Sequence, residues 1–124
     1  MKKSHNFREL KIWQDSMSLV KVVYDITSKL PMEERFGFIS QLNRCSVSIP
    51  SNIAEGSGRS SEKEFVRFLE IAISSSYELE TQLILINEIF GLEVKNVLED
   101  LTNLQIKIGA FKRRINNDRI ENKS

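Results

Sequence analysis

At 124 residues the chain has room for one domain with one substantial core. Charged residues at 28% and hydrophobic residues at 40% exclude a disordered or fibrous polypeptide, and a net charge of +1 excludes a uniformly basic or acidic surface. Cys45 is the single cysteine, so no internal disulfide can form and a reducing compartment, the cytoplasm, is expected.

In chain order, Met1-Lys2-Lys3 has the charge of a secretion signal, but polar Ser4-His5-Asn6 stands where an apolar stretch is needed. No run of about 18 apolar residues follows anywhere, so no membrane span is expected. The first periodic segment, about Leu10 to Leu30, carries Leu10, Trp13, Met17, Val20, Tyr24 and Thr27 at alternating steps of three and four. A second stripe of Ile12, Leu19, Val23, Ile26 and Leu30 lies beside it. Two adjacent stripes are too wide for one partner helix, so part of this face predicts contact with another chain.

After Pro31 the second segment keeps helical spacing through Ile39, Leu42, Ser46, Ile49 and Ile53 although Pro50 lies inside it. Proline lacks the N–H that the carbonyl of Ser46 needs and its ring crowds that turn, so a kinked helix is predicted. The small residues Ser46, Ser48, Ser51 and Ala54 face the small set Ala72, Ser74, Ser75 and Ser76 if the flanking helices form a hairpin about Gly58. Close backbone packing accounts for both clusters, with ligand binding as the competing reading. Gly56 and Gly91 suit the left-handed conformation that closes a helix.

Ser61 with Glu64 makes a capping box that opens the third segment, about Glu62 to Phe90, with Phe65, Leu69, Ala72, Ser76, Leu79, Leu83, Ile86 and Phe90 on one face. The fourth, about Glu93 to Asn116, carries Val94, Val97, Leu101, Leu104, Ile108, Phe111 and Ile115. Both follow the 3.5-residue repeat of left-handed bundles. Short connections make neighbours antiparallel, so the fold expected is an all-α up-down-up-down four-helix bundle. It forms a single domain over residues 1–124, with an ordered core at about 7–116 and a polar, frayed tail at 117–124.

Catalysis finds little support in the residues. One His and one Cys cannot supply a zinc site, and the Glu-x-x-His pairs of di-iron bundles are absent. His5 reads as an exposed side chain. Cys45 beside Arg44 could be an activated thiol, but a small buried residue on a bundle helix is the better reading. Gly56-Ser57-Gly58 follows no strand and is no phosphate loop. No enzyme activity, metal or cofactor is expected.

A resemblance becomes specific at Gln41-Leu42-Asn43-Arg44 and at Ser48-Ile49-Pro50-Ser51-Asn52-Ile53-Ala54-Glu55-Gly56. Phe7-Arg8-Glu9-Leu10-Lys11-Ile12-Trp13 and Glu64-Phe65-Val66-Arg67-Phe68-Leu69 extend it to nearly the whole chain, about Phe7 to Ile115. The sequence resembles a bacterial family of four-helix bundles first noticed as proteins encoded within intervening sequences of large-subunit rRNA genes. The accessory proteins of diversity-generating retroelements are its relatives. The resemblance implies an antiparallel bundle that assembles into a ring, usually a homopentamer. For the retroelement relatives it also implies binding of nucleic acid, RNA or DNA, and of a reverse transcriptase. Ser48, Pro50, Asn52, Glu55 and Gly56 carry the shared motif. Asn52 reads as bonding backbone groups freed by Pro50 and Glu55 as pairing with Arg59 or Arg44, with a subunit interface or ligand site as the alternative.

Charge is distributed by end. Residues 1–11, 57–67 and 112–124 carry +3, +1 and +3, which leaves −6 for the rest of the chain. An up-down-up-down bundle brings these three segments to one end, whereas Glu33, Glu34, Glu88, Glu93, Glu99 and Asp100 belong to the other. The candidate nucleic-acid-binding residues are therefore Lys2, Lys3, Arg8, Lys11, Arg59, Lys63, Arg67, Lys112, Arg113 and Arg114. Simple solubilisation of the chain ends is the competing explanation. The function expected is that of an oligomeric, non-enzymatic accessory protein that binds nucleic acid, within a ribonucleoprotein. A protein–protein scaffold with no nucleic-acid contact is the alternative.

Overall fold

Four α-helices joined by short turns make up the chain, and the computed structural model describes residues 5–123, with side chains through residue 121. Helix α1 is Lys11–Thr27, α2 Phe38–Ser57, α3 Glu62–Phe90 and α4 Lys95–Lys123. Among the described residues there is no strand, and no helix is long and apolar enough to cross a membrane. The architecture is an all-α four-helix bundle.

Local chemistry accounts for the helix ends. A one-turn 3-10 helix, Phe7–Glu9, precedes α1, and Asn6 caps it by accepting the N–H of Arg8 at 3.2 Å. The side chain of Gln14 donates to the carbonyl of Arg8 at 2.9 Å and ties that turn to α1. A second such turn, Met32–Glu34, follows Pro31. Ser61 accepts the N–H of Glu64 at 3.1 Å, as the capping pattern predicts. At the far end of α3, Gly91 takes φ +70°, and its N–H reaches the carbonyl of Asn87 at 2.9 Å.

Gly56 behaves differently from the expectation. It lies within α2 with an ordinary φ, and the helix ends at Gly58 with φ −91°. Its role is steric: a Cβ there would meet the Cβ of Phe68 at 2.6 Å. The helix also runs unbroken through Pro50. Helix α4 continues past the expected boundary near residue 116 to Lys123. The roughly six turns of α4 before Asn117 give those polar residues a template, and adding a residue to an existing helix is far easier than nucleating one.

Contacts that advance along one helix retreat along its neighbour. Gly56 of α2 meets Phe68 of α3, and Ser48 lies 2.8 Å from Ser75, hydroxyl to hydroxyl. Glu80 of α3 accepts from Gln105 of α4 at 2.9 Å, while Glu70 lies 3.8 Å from Lys112. The α2–α3 interface is the most extensive, and that between α1 and α4 is the thinnest. Of the two small-residue clusters, Ser46 and Ser76 are buried, whereas Ser51 and Ser74 are exposed. Buried hydroxyls turn back on their own helices: Ser16 donates to the carbonyl of Trp13 at 2.8 Å, Ser46 to Asn43 at 2.9 Å and Ser76 to Ile73 at 2.6 Å. Each polar group is thereby satisfied without widening the helix contact.

The core contains the predicted stripes of α3 and α4, together with Ile12, Leu19, Val23, Ile26 and Leu30 from the first segment. Each such side chain contributes about 1.5–3 kcal/mol when fully buried. The other stripe of α1 is divided: Thr27 is buried and Leu10 and Trp13 pack against the core, while Met17 at 37% and Tyr24 at 48% stay exposed.

Candidate nucleic-acid interface

Aromatic packing gathers one end of the bundle. The rings of Phe65 on α3 and Phe111 on α4 lie 5.6 Å apart, and His5 from the N-terminal segment covers both at 5.2 and 6.3 Å. Its Nε2 stands 3.9 Å from Oε1 of Glu62. His5 is therefore no exposed side chain, as its polar neighbours suggested: an imidazole presents an apolar body to the rings and a polar edge to the carboxylate. This contact holds the N-terminal segment against the start of α3 and the second half of α4.

The candidate cations divide by what holds them. Lys63, Arg67 and Arg113 are exposed and form no ion pair among the described residues. Lys63, Arg67 and Glu70 recur at helical spacing on one face of α3, and Glu70 reaches Lys112 of α4. Arg114 lies over the ring of Phe111 at 5.1 Å and shares a cleft with Lys11 of α1. Between Lys112 and Arg114, Arg113 points away from the buried row Ile108, Phe111 and Ile115. A basic band thus crosses α4, from Lys63 and Arg67 on one side to Lys11 on the other.

Arg59 stands apart from this band. It stacks over Phe68 at 4.7 Å and lies 3.5 Å from Glu55, for which Arg59 was one of two expected partners. Arg8 packs over Phe7 at 5.3 Å, and Phe7 meets the ring edge of Trp13 at 5.3 Å. Lys2 and Lys3 lie outside the described residues.

Lys107 belongs to the band although the charge tally by segment passed over it. Its position one turn before Phe111 and two before Arg114 was the available signal. It lies 3.0 Å from Asp15, whose other oxygen is 3.1 Å from Lys11. Burial raises the carboxyl pKa of Asp15, but hydrogen bonds from Lys107 and Lys11 outweigh this and leave it below the usual value.

Ser48 and Gly56 of the motif meet α3, whereas Pro50 faces α1 and Glu55 is exposed. Asn52 donates to both the carbonyl and the hydroxyl of Ser48, at 2.7 and 2.9 Å. Its amide therefore serves Ser48 and not the Ser46 carbonyl that Pro50 leaves without its helical donor. Cys45 is 4% exposed, and burial, with Glu78 adding to it, pushes its thiol up to about 11, the reverse of activation. Among the described residues no three His, Cys, Asp or Glu side chains could together hold a metal ion.

A comparison with curated proteins finds no match. A sequence model of the 23S rRNA-intervening sequence protein family matches residues 8–112, which include the whole Ser48–Gly56 run and Lys11, Lys63, Arg67, Lys107 and Lys112 of the band, while Arg113 and Arg114 lie just beyond it. The chain belongs to the 23S rRNA-intervening sequence protein family.

Proposed function

We propose that this protein is a non-enzymatic accessory protein that assembles with copies of itself and binds nucleic acid through the basic band. The observation that carries the reading is the alignment of Lys63, Arg67, Arg113 and Lys11 across α3, α4 and α1, with the first three free of ion pairs among the described residues. Such a band tracks phosphates without reading sequence, so affinity should fall with salt at a log–log slope of about −0.7 to −0.9 per phosphate contact. The test is filter retention of mixed RNA and DNA at low salt by Lys63→Glu, Arg67→Glu and Arg113→Glu combined. These exposed positions leave the core intact, whereas reversing Lys112 or Arg114 would also disturb Glu70 or the cover of Phe111. Lost retention with unchanged helicity supports the reading, and unchanged retention refutes it.

Self-assembly is supported by an apolar groove of about 310 Å³ between α1 and α2, lined by Trp13, Met17, Val20, Val47, Pro50 and Ala54. A second copy would cover this surface, and the ring of five subunits follows from the family resemblance. Light scattering at micromolar concentration tests it against the 14.3 kDa of one chain.

One observation favours the scaffold alternative. Phe36 is 84% exposed and Met32 69%, both in the turn between α1 and α2 at the opposite end of the bundle. Retention of neither RNA nor DNA would shift the assignment to protein binding there.

A further inference from the structure

The thin seam between α1 and α4 opens into a cleft of about 420 Å³ at the basic end. Its floor is apolar, made by Leu10, Ile12, Ala110 and Phe111, and its rim carries Lys11, Lys107 and Arg114 against the single carboxylate of Glu9. This volume lies in the range of small-ligand sites, about 300–1,000 Å³.

The rim is held in place before any ligand arrives. Asp15 anchors Lys107 and Lys11 at 3.0 and 3.1 Å, and each ammonium has three N–H donors, so donors remain for a further acceptor. Arg114 is laid over Phe111, which leaves the edge of its planar guanidinium available to an oxyanion. Phosphate suits this rim and gains nothing from the floor. A flat heterocycle suits the floor and gains nothing from the rim. One nucleotide supplies both, provided that its base is unstacked.

We infer that the α1–α4 cleft seats an unstacked base of a single-stranded nucleic acid, with its flanking phosphate on Lys11, Lys107 and Arg114. This rests on the nucleic-acid reading above and adds a preference to it. A duplex keeps its bases stacked and reaches only the rim and the band, whereas a single strand also fills the floor. Because the floor offers apolar contact and no set of hydrogen-bond partners, the preference is for strandedness and not for sequence.

The test compares oligouridylate with a blunt RNA duplex of equal charge, using the full chain and the Ala110→Phe variant. Ala110 is exposed and lines the cleft, so the larger ring fills the floor without removing a charge. The expected result is that the wild-type chain prefers the single strand, and that the variant loses about tenfold in affinity for it while holding the duplex unchanged. Photocrosslinking of wild-type chain to 5-iodouridine-substituted oligouridylate supplies a readout independent of the variant's folding. Adducts should map to residues 9–12 or 107–114. Equal strand affinities in wild type and variant, or adducts confined to the Lys63–Arg67 face, overturn the cleft while the band stands. Retention of neither strand nor duplex by the wild-type chain overturns both.

Discussion

A β-carbon placed on Gly56 would lie 2.6 Å from the β-carbon of Phe68 and 3.0 Å from the ring of Phe65. Phe68 Cβ is fixed to the α3 backbone, so the two helices would have to separate. Gly56→Ala should therefore destabilise the fold by about 1–3 kcal/mol, even though alanine in a helix interior gains about 0.5–1 kcal/mol over glycine. Gly109 is the control, since a β-carbon there meets only the flexible end of Arg113 at 3.6 Å. Gly109→Ala should raise stability. Urea denaturation of both variants checks the pair, and the same sign for both would refute the close-approach argument.

The Ser48–Ser75 hydrogen bond joins α2 to α3, and Asn52 holds the Ser48 hydroxyl from the other side. A double-mutant cycle on Ser48→Ala and Ser75→Ala should give a coupling energy of about 0.5–1.5 kcal/mol. Zero coupling would mean that the serines matter only for being small.

Pro50 leaves the Ser46 carbonyl without its helical N–H, while buried apolar spacing continues at Ile53. The axis of α2 should bend there by more than about 20°. Residual dipolar couplings from amides on the two sides of Pro50 measure the angle, and Pro50→Ala should reduce it. A single straight axis in the unaltered chain would count against the bend.

Cys45 gives a pH dependence of definite sign. Its thiol has an ordinary value of 9.0 and is raised to about 11 by burial. Below pH 9 folded and unfolded chains both keep the proton, so the contribution is fully present. Between about 9 and 11 the unfolded thiol ionises first, and stability falls. Denaturation midpoints across that window should show the loss, and Cys45→Ala should remove this part of the slope. At pH 8 the native thiol should react with aromatic disulfide reagents only as fast as the core opens.

Much of this was readable in the sequence because bundle helices are specified locally. The bounds of α3 follow from Ser61, Glu64 and Gly91, and the buried rows of α3 and α4 follow from spacing alone. Cys45 was legible as a buried thiol for the same reason. His5 was not: its burial depends on two rings more than fifty residues away in the chain, which no local pattern encodes. Gly56 misled because glycine near a helix end serves two purposes, a left-handed turn or a close approach, and only the neighbouring helix decides between them. The basic end was legible as a sum of charge. Its division into free, paired and ring-stacked cations needed the register between helices, as Lys107 and Arg59 show.

Trp13 is the sole tryptophan of the chain, partly buried at the mouth of the α1–α2 groove with Phe7 beside it. Nature has in effect placed one fluorophore on the surface assigned to self-assembly. An indole half in water emits at longer wavelength than one sealed in hydrocarbon, so dilution that opens the groove should shift the emission to the red. Quenching by iodide should rise in parallel, and circular dichroism should stay constant if the helices survive separation. Assembly then becomes measurable by titration in a cuvette, with no label and no engineered probe.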